Sequence, residues 1–76
     1  MTIDLHGFTI HQAWQVFTSR VDDAYYKGHK TCKIITGYGS IQQELPTWCH
    51  NHNKINSCNQ MVPNKGAFVV KLNKRK

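Results

Sequence analysis

Apolar and polar residues alternate where the chain begins: Ile3 and Leu5 against Asp4 and His6, with Gly7 behind them. That period of two predicts a short first strand. The period then changes. Ile10, Ala13, Trp14, Phe17, Val21, Ala24 and Tyr25 recur at helical spacing and predict a first helix over 9–27, with these residues on its core face. Thr9 and Gln12 form a capping box at its start, and Gly28 is placed to stop it. The β-branched run at 31–36 reads as a second strand, and Gly37-Tyr38-Gly39-Ser40 as a tight turn. Ser40 with Gln43 offers a second capping box for a helix whose face carries Ile41, Leu45, Trp48, Cys49 and His52. Pro46 argues for that helix starting nearer Glu44. Asn51, Asn53 and Asn56 mark its exit; a polar third strand over 55–62, a turn at 63–66 and a strongly apolar last strand over 67–72 follow.

The order β-α-β-α-β-β implies an α+β fold. The apolar second and fourth strands belong at the centre of a sheet, and the short first and polar third strands at its edges. The expected spatial order is 1-2-4-3, with strand 4 antiparallel to the rest. Right-handed crossovers then put both helices on one face, giving a two-layer sandwich with the other sheet face open. In this topology His6-Gly7, the glycine turn and Asn64-Lys65-Gly66 share one edge, outside the carboxyl ends of strands 1 and 2, where ligands of such sheets gather.

At 76 residues the chain is expected to be a single domain, core about 3–72, with a basic tail at 73–76. Its net charge of +6 is unevenly spread. Residues 1–26 hold Arg20 against Asp4, Asp22 and Asp23; residues 27–76 hold nine basic residues against Glu44 alone, a net of +8. Such a balance points to a polyanionic partner. With only four carboxylates, two of them on the first helix, the acid cluster of a two-metal nuclease is not available. No apolar run is long enough to span a membrane and no leader is expected. The three cysteines, Cys32, Cys49 and Cys58, read as free thiols in a reducing cytoplasm.

Four groups carry candidate chemistry. Asp4 and His6, two apart on one strand face, suit a carboxylate that orients an imidazole for general acid–base work. Gly37, Tyr38, Gly39 and Ser40, between a buried strand and a helix start, suit phosphate binding by backbone N–H groups. Lys33 and Lys71 fall on the open sheet face beside Ile35 and Val69, where cations with apolar surface can hold nucleic acid. Cys49, His50, His52 and Cys58 match no common zinc spacing, and Cys49 sits on the apolar side of its helix, so no metal site is expected.

Taken together, Asp4-Leu5-His6-Gly7 with Thr9-Ile10-His11-Gln12-Ala13, Ile34-Ile35-Thr36-Gly37-Tyr38-Gly39, Ile41-Gln42 with Leu45 and Trp48-Cys49, and Gly66-Ala67-Phe68-Val69-Val70-Lys71-Leu72 resemble the small MutS-related (Smr) domain family in order, from Ile3 to Leu72. The resemblance implies a βαβαββ sandwich similar to the C-terminal domain of translation initiation factor 3, with nucleic-acid binding and often endonuclease activity. The family's acid and histidine map to Asp4 and His6, and its glycine loop to Gly37 and Gly39. This chain departs from the pattern at several points. Its loop before the second helix is about two residues short. Tyr38 stands where the family usually has Lys, and Gln42 where it usually has Arg. Of a glycine pair and its follower only Gly66 survives, beside Asn64 and Lys65, and His11 replaces an acid.

The first functional reading is an endonuclease or nickase acting on RNA or structured DNA. In it His6 is the general acid or base, Asp4 its orienting partner, and Gly37–Ser40 with Lys65 and Gly66 the phosphate cradle; His11, Lys33 and Lys71 add cations. The alternatives are a nucleic-acid-binding module without catalysis and a protein-interaction domain. Magnesium is the one cofactor left open. The expected state is a monomer in the cytoplasm, away from any membrane.

Overall fold

A computed structural model describes residues 1–74; Arg75 and Lys76 of the expected basic tail lie outside the described residues. The elements are β1 (Thr2–Asp4), α1 (Ile10–Tyr26), β2 (Thr31–Ile35), α2 (Ser40–Asn51), β3 (Ile55–Gln60) and β4 (Ala67–Leu72). The sheet order is β1-β2-β4-β3, with β1 parallel to β2 and β4 antiparallel to both of its neighbours. This is the expected α+β arrangement.

Alternation within the strands makes the two layers. Ile3, Cys32, Ile34, Phe68, Val70 and Leu72 turn to one side and join Ala13, Phe17, Val21 and Ala24 of α1 and Ile41, Leu45 and Cys49 of α2 in a single buried cluster. Fully burying a side chain the size of Phe17, Leu45 or Ile34 stabilises the fold by roughly 1.5–3 kcal/mol each. The opposite sheet face carries Thr2, Asp4, Lys33 and Lys71, all exposed, with Ile35 and Val69 half-buried between them.

The ends of α1 follow the sequence. Thr9 Oγ1 accepts the Gln12 N–H at 3.2 Å, and Gln12 Oε1 accepts the Thr9 N–H at 3.2 Å. Gly28, at φ +84°, takes the left-handed conformation that ends the helix. Two residues expected on its core face lie elsewhere: Ile10 is 39% exposed and Trp14 48%. Ile10 is the first residue of α1, ahead of the buried Ala13, and Trp14 falls at the margin of the buried stripe Ala13, Phe17, Val21 and Ala24.

Helix α2 departs from expectation at its start. It begins at Ser40, with Gly39 as N-cap and no side-chain capping bond, so the expected Ser40–Gln43 box does not form. Gly39 at φ 145° and ψ −149° holds a backbone conformation open to glycine, which advances the helix by one residue and puts Ser40 inside it. Pro46 lies within the helix rather than before it. Its position is exposed, where water can serve the Gln42 carbonyl that proline leaves without a donor. β3 is shorter than expected, ending at Gln60, with a register shift between Ile55 and Ser57.

Of the acids of α1, Asp22 ties the helix to the segment after α2, and Asp23 pairs within the surface of α1 itself. Asp22 Oδ1 accepts from Lys54 Nζ at 2.9 Å and lies 3.5 Å from His52 Nε2. His52 Nδ1 accepts the Lys54 backbone N–H at 3.2 Å, and its ring meets Phe17 edge-on at 6.0 Å. Asp23 pairs with Lys27 on the helix surface at 3.0 Å.

Burial holds the His52 imidazole below its ordinary value, with Asp22 pulling it up and Lys54 pushing it down. The unfolded chain therefore binds the proton first, and stability should fall as pH drops from about 7.5 through about 6.5, then level off below the folded value. Urea unfolding across that range should show the fall in the parent and a shallower one in His52→Gln. Equal slopes in the two proteins would assign the pH dependence to other groups.

Candidate nucleic-acid interface

The loop after β1, the glycine loop after β2 and the turn before β4 meet at one edge of the sheet, the last two joined chiefly by a single carbonyl. Gly66 O accepts the Thr36 N–H at 2.7 Å and the Gly37 N–H at 3.0 Å. The buried Thr36 hydroxyl lies 3.0 Å from Gly66 O and 2.9 Å from Gly37 O, its one proton serving either. The contact is close: a Cβ on Gly66 would sit 3.3 Å from Gly37 backbone atoms. On its other side, the Lys65 carbonyl accepts from Gln42 Nε2 and Gln60 Nε2, both at 2.8 Å. Lys65 is thus fixed by its backbone while its ammonium group stays exposed. Gln42, standing where the family usually has Arg, works here as a neutral clamp.

His6 is exposed and its ring lies against Gly37. Gly37 has φ +69°, and a Cβ there would meet His6 Cδ2 at 2.8 Å. Glycine is needed at 37 for the turn and again for the ring's seat. Asp4 does not do what its spacing suggested. Its Oδ1 accepts the His6 backbone N–H at 2.9 Å, and among the described residues no hydrogen bond or ion pair joins its carboxylate to the imidazole. The reason lies in the chain: β1 ends at Asp4, and the carboxylate bends over the next turn to take its free N–H. Asp4 therefore sets the path of the backbone through His6.

Between the first loop and α2 runs a groove of about 460 Å³, lined by residues that include His6, Phe8, Thr36, Tyr38, Gly39 and Ser40. At its α2 end, the first helical backbone bond runs from the Gln43 N–H to Gly39 O. The N–H groups of Gly39, Ser40, Ile41 and Gln42 precede it and have no side-chain cap. Uncapped first-turn N–H groups at the positive end of a helix dipole are suited to an anion. Gly37 itself gives no N–H to the groove, because Gly66 already takes it.

Not every expected site residue is here. His11 is exposed on the first turn of α1 and does not line the groove. Lys33 and Lys71 lie on the open sheet face, as expected, but away from the loop edge. Lys71 borders a second groove, of about 900 Å³, at the opposite end of the strands, with His29, Lys30 and Lys74. The expected cations are consequently distributed around the molecule. Phe8, Ile10 and Ile41 were not foreseen as groove residues; Ile10 and Ile41 carried helical spacing that pointed to the core, and Phe8 carried no pattern. Two of the thiols offer little nucleophilicity, while the hydrogen bond with Cys49 holds half-buried Cys58 below its ordinary value against the effect of burial. Cys32 is pushed up by burial, and Cys49 by a hydrogen bond with Cys58 and then by burial. No group of three or more His, Cys, Asp or Glu side chains able to hold a metal occurs among the described residues. No helix among them is long and apolar enough to cross a membrane.

Comparison with known proteins agrees with this geometry. The Smr domain of Thermus thermophilus MutS2 superposes with a TM-score of 0.88, covering 95% of this chain and 96% of that one at 22% identity. No curated protein matches the chain. The family model of the Smr domain matches residues 3–73, from the first strand through the last. The chain belongs to the Smr domain family.

Proposed function

We propose that this Smr domain binds nucleic acid and cleaves a phosphodiester of RNA or structured DNA, with His6 as the general acid or base. The observation that carries the reading is the seat of the His6 ring on Gly37, at the mouth of a groove whose far wall is the uncapped start of α2. A phosphate held by the Gly39–Gln42 N–H groups would share the groove with the imidazole. On RNA, His6 takes the proton of the 2′-hydroxyl as that oxygen attacks phosphorus to form the cyclic phosphate, and the bond to the 5′-oxygen breaks as that oxygen takes a proton from water. No carboxylate cluster is needed for that step, which fits a chain whose Asp22 and Asp23 are engaged in ion pairs. Lys65 supplies a cation beside the groove. Lys33, Lys71 and the basic tail supply charge around it. A binding module without cleavage shares every contact except the role of His6.

His6→Ala should lower cleavage by about 10²–10⁴-fold with little change in affinity, since phosphate contacts lie elsewhere. Asp4→Asn should cut nearly as well as the parent, because its side-chain oxygen still accepts the His6 N–H. Far-ultraviolet circular dichroism first establishes that both variants are folded. If folded His6→Ala cuts as fast as the parent, the catalytic role is wrong; if the parent never cuts but binds, the binding module stands.

Binding should weaken with salt. If about three to five phosphates are neutralised, log affinity should fall against log salt with a slope near −0.9 per contact on duplex and near −0.7 on single strands. A flat dependence, or no binding at low salt, would favour a protein-interaction role.

A further inference from the structure

Six large hydrophobic residues are exposed among the described residues: Phe8, Ile10, Trp14, Tyr26, Tyr38 and Val62. Three of them, Phe8 at 42%, Ile10 at 39% and Tyr38 at 74%, line the groove that also holds His6 and the start of α2. Trp14 lies one helical turn beyond Ile10 on the same helix. Exposed apolar residues scattered singly need no explanation, but a set gathered on one groove does. The groove therefore offers two kinds of wall: backbone N–H donors and an imidazole, and rings with an aliphatic side chain.

A ligand complementary to both walls carries an anionic group and a flat apolar face a few ångströms apart. A paired duplex offers phosphates alone, because its base faces are covered by their neighbours in the stack. An unpaired nucleotide offers both. We propose that the groove recognises a single-stranded nucleotide, its phosphate at the start of α2 and its base stacked on Tyr38 and Phe8. This deepens the reading given above and rests on the groove being the phosphodiester site.

The departure from the family pattern at Tyr38 takes its meaning here. A lysine at that position contributes a charge that any nucleic acid satisfies. A tyrosine contributes a ring face that only an unstacked base satisfies. Gly37 and Gly39 on either side, both at positive φ, turn the backbone so that Tyr38 stands out from the loop instead of packing into it. The net charge of +6 favours a polyanion over an acidic-poor protein surface as the occupant.

The test measures binding of the whole chain to a short labelled oligonucleotide, to the same strand paired with its complement, and to the strand with abasic sites replacing internal bases. Aromatic stacking on single strands changes affinity by about 5- to 150-fold per base. The parent should prefer the intact single strand over both other probes by a factor in that range. Tyr38→Ala should lose the preference, Tyr38→Phe should keep it, and Tyr38→Lys should bind duplex and abasic probe more tightly without restoring it. Tyr38 is exposed on a loop, so these variants retain the core, and circular dichroism checks that they do. Equal affinity of the parent for intact and abasic strands, with normal salt dependence, overturns the stacking proposal and leaves the phosphate-binding reading intact. Absence of binding to every probe at low salt overturns both. Self-association of the parent that Tyr38→Ala abolishes, with no preference among the probes, would make the apolar wall an interface between copies of the chain.

Discussion

The candidate site depends on how closely the backbone before β4 approaches the glycine loop. Gly66 offers one carbonyl to two backbone N–H groups and lies within reach of a hydroxyl, and it can do so only because it carries no Cβ at the point of contact, while a Cβ on Gly37 would meet the His6 ring. The two central strands already run side by side, so this contact extends their pairing past the end of β2 and carries the glycine loop with it. The loop in turn provides the surface on which His6 rests. A larger residue at either glycine would separate the strands, displace the ring, or both.

Charge is divided by role in this small chain. The first helix holds two of its four carboxylates, and both are paired with cations of the same half of the molecule or of the loop after α2. Asp4 is tied to a backbone N–H. Glu44 is exposed on α2 past its first turn, and neither the His6 groove nor the Lys71 groove is lined by an acid, so a phosphate approaching the loop edge would meet hydrogen-bond donors there. The scarcity of acids that argued against a two-metal mechanism also removes repulsion from the place where an anion would sit.

Much of the fold could be read from residue pattern because each element declares its own period. The short alternating strand, the boxed helix and the apolar pair of central strands led to the observed order, and the conjunction of Asp4–Gly7, Ile34–Gly39 and Gly66–Leu72 led to the family. Three kinds of information were not legible. Helical spacing does not say at which residue a buried stripe starts or how wide it is, so Ile10 and Trp14 looked buried. Spacing on a strand does not fix the rotation of a side chain once the strand stops, so Asp4 was paired with a ring and instead holds a backbone N–H. A Ser followed three residues later by Gln looks like a cap whatever precedes it, and the conformation of Gly39, which decides the matter, leaves no mark in the pattern. The groove itself was half visible: its glycines and His6 are motif residues, whereas Phe8 became a wall only when two loops met.

The clamp formed by Gln42 and Gln60 on the Lys65 carbonyl has a bearing on how such a domain can be altered. Both donors are uncharged, so the shape of the loop edge is insensitive to ionic strength, whereas the field of the exposed Lys65 ammonium is screened by salt. Architecture and charge are carried by separate sets of atoms in the same turn. The ammonium at 65 can be exchanged or modified without loosening the backbone that carries it, which makes this turn a position where ligand strength can drift, or be tuned, independently of the fold.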